Sequence, residues 1–325
     1  MTKEIVIISP ELKAGAGGLA DYALRIVEEW GGRVPVRFVV PAESERSATH
    51  LRAELPASGG KVLLHYSAYG FDRHGYPRWL LQSLADWKRT SGGLLVIMFH
   101  EIWTFWPWLN KNRFLQWRHR SHIQKLVSAA DAVFTSTPSQ AKHLLQLVPT
   151  TAVQVLPVGS NIRPMSPIGP MREPGLAVLF GLPASRQRAR QTMQRELDAL
   201  VATQRLTKIV EVGGDALPEE EVSSLLAQAS FGISAQDELS VTKSGTFMAY
   251  AAHGLNILSP FSGAARPQPL CWATHPDELR QGLSDAELNS RAENLRTWQE
   301  RTCAWPRIAE QFARALALPT TAPHS

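Results

Sequence analysis

Cysteine is nearly absent: Cys271 and Cys303 are the only two in 325 residues. They exclude a disulfide framework and an all-cysteine metal site, and they suit a reducing compartment, so the cytoplasm is the expected location. No run approaches the ~20 apolar residues that a membrane span needs. The N-terminus enters an apolar strand at once, without the charged region and apolar core of a secretory signal. Low-complexity tracts and short-period repeats are missing. So are the Gly-x-x-x-x-Gly-Lys spacing of a P-loop and an Asp-x-Asp pair for a divalent cation. What remains is an ordinary globular composition, 44% hydrophobic and 19% charged. The chain exceeds the roughly 250–300 residues at which single cores stop growing, so two domains are expected. A net charge of +5 favours nucleotide phosphates, nucleic acid or an acidic membrane surface, and charge alone does not choose among them.

Strand and helix patterns alternate along the chain. Apolar strands are predicted at 5–9, 36–40, 61–67, 94–100, 132–137 and 153–158, with helices at 20–30, 78–89, 122–130 and 140–148 between them. Residues 159–174 hold four prolines and two glycines and read as the connection between domains. Alternation then resumes, with strands at 176–181, 208–213, 231–235, 256–259 and 270–273 and helices at 192–204, 219–228 and 245–253. Near-continuous apolar strands separated by helices imply parallel sheets covered on both faces. The expected division is 1–160, a linker at 161–174, a second domain at 175–300, a helix at 301–318 able to cross back, and a tail at 319–325. Two such halves imply a ligand cleft between them, at the carboxyl ends of the strands.

Several groups at predicted strand ends carry chemistry. Gly15-Ala16-Gly17-Gly18-Leu19-Ala20-Asp21 follows the first strand, where bare backbone N–H groups at a helix start suit a phosphate. The longer loop favours a nucleotide-sugar diphosphate over a dinucleotide, and a ligand-free capping turn fits the same residues. His100 and Glu101 close the strand at 94–100. A histidine there can position a hydroxyl, share charge, relay a proton, or cap backbone carbonyls. His65, Tyr66 and Tyr69 end the preceding strand and can line an acceptor pocket or pack beneath a loop. In the second half, Ser240-Val241-Thr242-Lys243-Ser244-Gly245-Thr246 precedes an apolar helix and forms either an anion cradle or a plain N-cap. Gly181 is followed by Arg186 and Arg188, which can neutralise a departing phosphate or lie solvated. Gly213 and Gly214 can admit a base. From residue 102 to 130 there are five Lys or Arg and no acid, interleaved with Trp103, Trp106, Trp108 and Trp117. Such a stretch suits a membrane interface, a lipid-linked acceptor or single-stranded nucleic acid, or a core with a basic outer face.

Gly17-Gly18-Leu19-Ala20-Asp21-Tyr22, His65-Tyr66-Ser67-Ala68-Tyr69-Gly70 with Gly75-Tyr76-Pro77, Phe99-His100-Glu101, and Pro157-Val158-Gly159-Ser160-Asn161-Ile162 together resemble the GT-B glycosyltransferases of group-1 type that build bacterial polysaccharides. The likeness runs from about residue 3 to 315. It implies an α/β fold of two Rossmann-like domains in the GT-B architecture, and transfer of a sugar from a nucleoside-diphosphate donor to a hydroxyl acceptor. Retention of configuration without metal or cofactor is implied, the nucleotide sugar being the substrate and the departing phosphate taking the acceptor proton. By this resemblance His100, Glu101, Arg186, Arg188 and Lys243 are the catalytic group. Gly17, Gly18, Gly181, Gly213, Gly214, Ser240, Ser244, Gly245 and Thr246 bind the donor, while Asp21, Tyr66 and Tyr69 stand on the acceptor side. The expected partners are the donor and a glycan or lipid-linked acceptor, with peripheral contact at the inner face of the membrane and no nucleic acid. The chain departs from the family at one place: Val241 and Ala249 stand where two glutamates eight residues apart are usual. That loss favours an inactive GT-B-fold partner as an alternative. A nucleotide-sugar epimerase is a further alternative, but it lacks a convincing acid–base pair.

Overall fold

Segments buried on both faces can dispense with polar alternation, and the first strand, Ile5–Ile8, is wholly buried. The computed structural model describes residues 4–12, 18–102, 116–165, 172–213 and 217–318. Its first half runs β1 (Ile5–Ile8), α1 (Gly18–Trp30), β2 (Val36–Val39), α2 (Ala48–Glu54), β3 (Lys61–Ser67), α3 (Ala68–Phe71), α4 (Arg78–Ser91), β4 (Leu94–Glu101), α5 (Gln116–Ala129), β5 (Ala132–Thr135), α6 (Pro138–Leu147) and β6 (Val153–Val155). The six strands form one sheet in the order β2-β1-β3-β4-β5-β6, every pair parallel. The order reverses between β1 and β3, the place where open α/β sheets leave a crevice at their carboxyl ends.

The second half runs β7 (Glu173–Gly181), α7 (Pro183–Ala202), β8 (Lys208–Gly213), α8 (Glu219–Gln228), β9 (Ala229–Ile233), α9 (Gly245–Ala252), β10 (Asn256–Leu258), α10 (Pro276–Arg280), α11 (Asp285–Thr302) and α12 (Trp305–Ala315). Its sheet has the order β10-β9-β7-β8, again parallel, with the reversal between β7 and β9. The α/β class read from the apolar strands is the class observed.

Two compact units result. One joins Met1–Leu156 to Trp305–Ser325, and the other is Pro157–Ala304. The described part of the proline-rich stretch docks on α8 of its own unit: the Arg163 N–H donates to Glu219 Oε1 at 2.9 Å and the Met165 N–H to Ser223 Oγ at 3.1 Å.

Several predicted elements differ, among them the helix expected from 122, which starts at Gln116, and the strand expected at 153–158, which ends at Val155. Residues 270–273 form a 3-10 turn, Leu270–Trp272, rather than a strand. Pro267 and Pro269 lack ladder N–H groups, and one isolated bridge, Leu258 to Thr274, is all that joins this stretch to the sheet. Helix α7 begins at Pro183, nine residues before the predicted start, because proline at N1 initiates it after an extended Leu182. Its first turns are polar and carry no apolar stripe, and its backbone departs from helical geometry at Met193, near the predicted start.

Helix α12 closes the first unit. The indole N–H of Trp30 in α1 donates to the Ala309 carbonyl at 3.1 Å. Phe312 is fully buried against Phe134, Tyr22 and His65. Phe312→Ala is therefore expected to cost about 3–5 kcal/mol of stability. Urea unfolding of the full chain checks this, and a loss below about 1 kcal/mol would show that α12 does not hold the first unit together.

Candidate functional site

The carboxyl edge of the first sheet is shaped by an irregular ladder. Strands β3 and β4 pair His65 with Met98 and Tyr66 with Phe99. The register then shifts, so Ser67 opposes Glu101 and His100 is left over. His65 and His100 fall on one sheet face, and their facing nitrogens, His65 Nδ1 and His100 Nε2, are 2.9 Å apart. The ring planes lie 27° apart with centroids at 5.2 Å. The centroids exceed the nitrogen separation by about the two ring radii, so this is an edge-to-edge hydrogen bond rather than a π-stack. Tyr22 of α1 abuts both imidazoles at 5.7 and 5.0 Å and Trp305 of α12 at 5.2 Å. Burial pushes His100 down to about 3. His65 is held well below its ordinary value by burial and then by the neighbouring His100. Both rings are neutral at physiological pH.

Glu101 accepts a hydrogen bond from Ser67 Oγ at 3.2 Å. The His100 carbonyl accepts from Gln140 Nε2 at 3.2 Å, so α6 fastens the strand end. Tyr66 points to the opposite sheet face, fully buried against Phe71, Phe99 and His122, and its hydroxyl has no partner among the described residues. Tyr69 is half-buried, next to Gly75, whose positive φ of 70° requires glycine. Asp21 lies half-buried in the first turn of α1. Gly18 opens that helix, and a side chain there would meet nothing within 4 Å. Gly17 lies outside the described residues, as does Gly214.

In the second unit, Gly181 ends β7 opposite Gly213 of β8. Its φ is 120°, and a Cβ there would stand 2.9 Å from Thr246 Oγ1. Only glycine lets the strand end approach the start of α9 so closely. Arg186, in the first turns of α7, donates through Nη1 to the carbonyls of Gly181 at 2.5 Å and Val212 at 3.1 Å. Its Nε lies 3.9 Å from Glu211. Arg188 is exposed and 3.9 Å from Asp237. Ser240 is bonded to Asp237 Oδ1 at 2.6 Å. Ser244 caps α9 by accepting the Phe247 N–H at 3.2 Å. Gly245, the first residue of α9, lies against Asn161. Lys243 is exposed at the end of the turn before that cap, with no ion pair to a described residue. Val241 and Ala249 are buried in the core.

The structure thus joins His100 to His65 and Glu101 to Ser67, and in the second unit it gathers Gly181, Gly213, Arg186 and Thr246. Tyr66 stands on the other face of its sheet from His100. Sequence reasoning missed Gln140, Glu211 and Tyr250, whose hydroxyl accepts the Phe180 N–H at 2.7 Å, as supports of the strand ends. Only the helical spacing of Gln140 behind Thr137 hinted at any of them. Among the described residues, no three His, Cys, Asp or Glu side chains stand close enough to hold a metal ion.

Neutral buried histidines set a pH dependence. His122 is pushed down to about 4, chiefly by burial and then by His119. Free histidine titrates near 6.5, so below that pH the unfolded chain takes up protons that the fold refuses. Stability present above pH 6.5 is lost as pH falls toward 4, by up to about 1.4 kcal/mol per pH unit for each such group. The melting temperature is expected to drop between pH 7.5 and 5, with a shallower drop in His122→Leu. Equal slopes in the two proteins would mean that His122 protonates in the folded chain.

No family model and no curated protein matches this sequence. Solved structures resemble it along nearly its whole length. Trehalose-6-phosphate synthase OtsA superposes with a TM-score of 0.59 at 13% identity, covering 98% of this chain and 100% of that one. The N-terminal domain of Candida albicans trehalose-6-phosphate phosphatase gives 0.59 at 10% identity, covering 98% and 97%. Anabaena HepE in complex with UDP gives 0.53 at 12% identity, covering 98% and 100%. At such identities the likeness is one of fold: the chain has the α/β fold of these proteins, two Rossmann-like units of GT-B type.

Proposed function

We propose that the protein is a glycosyltransferase that moves a sugar from a nucleoside-diphosphate donor to a hydroxyl acceptor. The observation that carries this reading is the junction of β7 with α9. There Gly181 and Thr246 bring a strand end against a helix start, and Lys243 stands exposed beside the cap. Backbone N–H groups and one cation at a helix N-terminus favour an anion, and a neighbour of the same fold is a structure with UDP. His100 and Glu101, at the carboxyl edge of the sheet of the first unit, are proposed to take part in the chemistry, as the resemblance implies. Retention of configuration without a metal, implied by the resemblance, is part of the proposal. So are a place in polysaccharide or glycoconjugate synthesis and a cytoplasmic location.

Thermal-shift measurements with UDP, GDP and their sugars test the donor class. Saturation at 100 times the dissociation constant stabilises by ~2.7 kcal/mol. Lys243→Ala is expected to keep the fold and to weaken nucleoside-diphosphate binding roughly ten-fold, the worth of a charge-assisted hydrogen bond. Unchanged affinity by calorimetry removes Lys243 from the site. The buried Val241 and Ala249 favour a second reading, a partner of this fold that binds without turnover. Slow hydrolysis of the donor distinguishes the two, since a transferase loses sugar to water and an inactive partner does not.

The acceptor is proposed to be a glycan or lipid-linked, met at the inner membrane face. No described helix is long and apolar enough to cross a membrane. Of the basic, tryptophan-rich stretch, residues 103–115 lie outside the described residues. In α5, Trp117 is 63% exposed, with the Arg118 guanidinium 5.4 Å over its ring. A cation near an anionic surface contributes ~1 kcal/mol. The protein should therefore co-sediment with anionic vesicles at low salt and release as salt rises. Failure to bind them would favour a soluble acceptor.

A further inference from the structure

The bond between His65 and His100 fixes where protons sit. Two neutral imidazoles carry two protons, and the facing nitrogens share one of them across 2.9 Å. The second proton has two homes, His65 Nε2 or His100 Nδ1. His65 is fully buried, and its Nε2 is enclosed without a partner among the described residues, between Tyr22 and Phe312. His100 is only half-buried. An enclosed N–H with no acceptor forfeits its hydration outright, and orphaned buried N–H groups are rarer than under-used acceptors. The proton therefore belongs on His100 Nδ1. We infer that His65 donates its Nδ1–H to His100 Nε2, so that His100 is held as the Nδ1–H tautomer and presents a hydrogen-bond donor at the end of β4.

This assigns His65 as a positioning residue for His100. It deepens the reading of the site as a sugar-transfer edge and rests on it for its consequence. A neutral imidazole whose only accessible nitrogen carries a proton cannot take the acceptor's proton. It can donate to a sugar hydroxyl or a phosphate oxygen, binding and orienting the transferred group. The clamp is built from three elements of one unit. Tyr22 of α1 meets both imidazoles and Trp305 of α12, and Phe312 of α12 backs His65. The ring of His65 is thereby held in its plane. Gln140 holds the backbone carbonyl of His100 and so fixes the strand end from which that ring projects.

Long-range 15N–1H spectra of histidine-labelled full-length protein at pH 7.5 read the tautomers directly. The histidine signals are assigned by single variants at positions 65 and 100. The expected result is Nδ1–H on both rings. A proton on His100 Nε2, or a charge on either ring, overturns the inference. His65→Phe removes the donor and should let His100 populate its Nε2–H form. His65→Asn, whose amide can donate from the Nδ1 position, should restore Nδ1–H. The kcat/KM for the nucleotide sugar should fall roughly ten-fold in His65→Phe and recover in His65→Asn, as loss of one hydrogen bond to the transferred group predicts. Equal turnover in the two variants means that His65 does not act through the proton. If His65→Phe fails to fold, the unmodified protein's spectrum still decides. Correct tautomers without any nucleotide-sugar turnover would overturn the functional reading and leave the histidine pair standing.

Discussion

A parallel strand ends in backbone groups that its neighbours do not take up, and burying them unpaired costs as much as losing the bonds. Both sheets meet this constraint with side chains sent from neighbouring helices. Gln140 closes the His100 carbonyl. Arg186 closes Gly181 and Val212. The Tyr250 hydroxyl accepts the Phe180 N–H at 2.7 Å and donates to the Val178 carbonyl at 3.1 Å. The missing side chain of Gly232 makes room for that ring, which a Cβ would meet at 2.5 Å. These strand ends are also the positions from which an α/β sheet presents its chemistry. Support and function therefore compete for the same few residues.

That competition decides how the arginines are read. The guanidinium of Arg186 holds two carbonyls on adjacent strands, so its first duty is to keep β7 and β8 joined where the ladder stops. Arg190 is paired to Glu211 at 2.5 Å. The hydroxyls of Ser240 and Ser244 are engaged by an aspartate and a helix cap. A sequence pattern of glycine, hydroxyl and cation is consistent with an anion cradle. The structure shows that part of that pattern is occupied in holding the edge together.

The strands were legible because parallel strands inside a sheet are apolar on both faces, and 61–67 and 176–181 are buried almost throughout. The prolines of 159–174 mark irregular chain, but the docking of Arg163 and Met165 on α8 depends on Glu219 and Ser223, distant in sequence. The start of α7 was not legible, because its first turns face solvent and show no apolar period. The apolar residues at Leu270–Trp272 form a turn and not a strand because the two prolines before them lack ladder N–H groups. His65 was legible only as a residue at a strand end. Its pairing with His100 depends on a register shift between β3 and β4, a property of two strands distant in sequence. Likewise Tyr66 and His100 look like neighbours in a motif list, yet strand alternation sends them to opposite faces.

Electrostatics at the second edge follow from what is already paired. Arg188 faces Asp237, Arg266 faces Glu238 at 2.7 Å and Arg190 faces Glu211, so most of the cations here are offset by acids. Exposed pairs of this kind contribute little to stability, but they cancel charge locally. Lys243 is the cation of this group without an acidic partner among the described residues. It stands one residue before the cap of a helix whose first N–H groups carry the positive end of the dipole. With Val241 and Ala249 buried, no carboxylate from those positions opposes it. Buried apolar side chains at these two positions add neither a hydrogen-bond acceptor nor a negative charge to the start of the helix. The start of the helix therefore keeps a net positive field, the condition under which an anion is held.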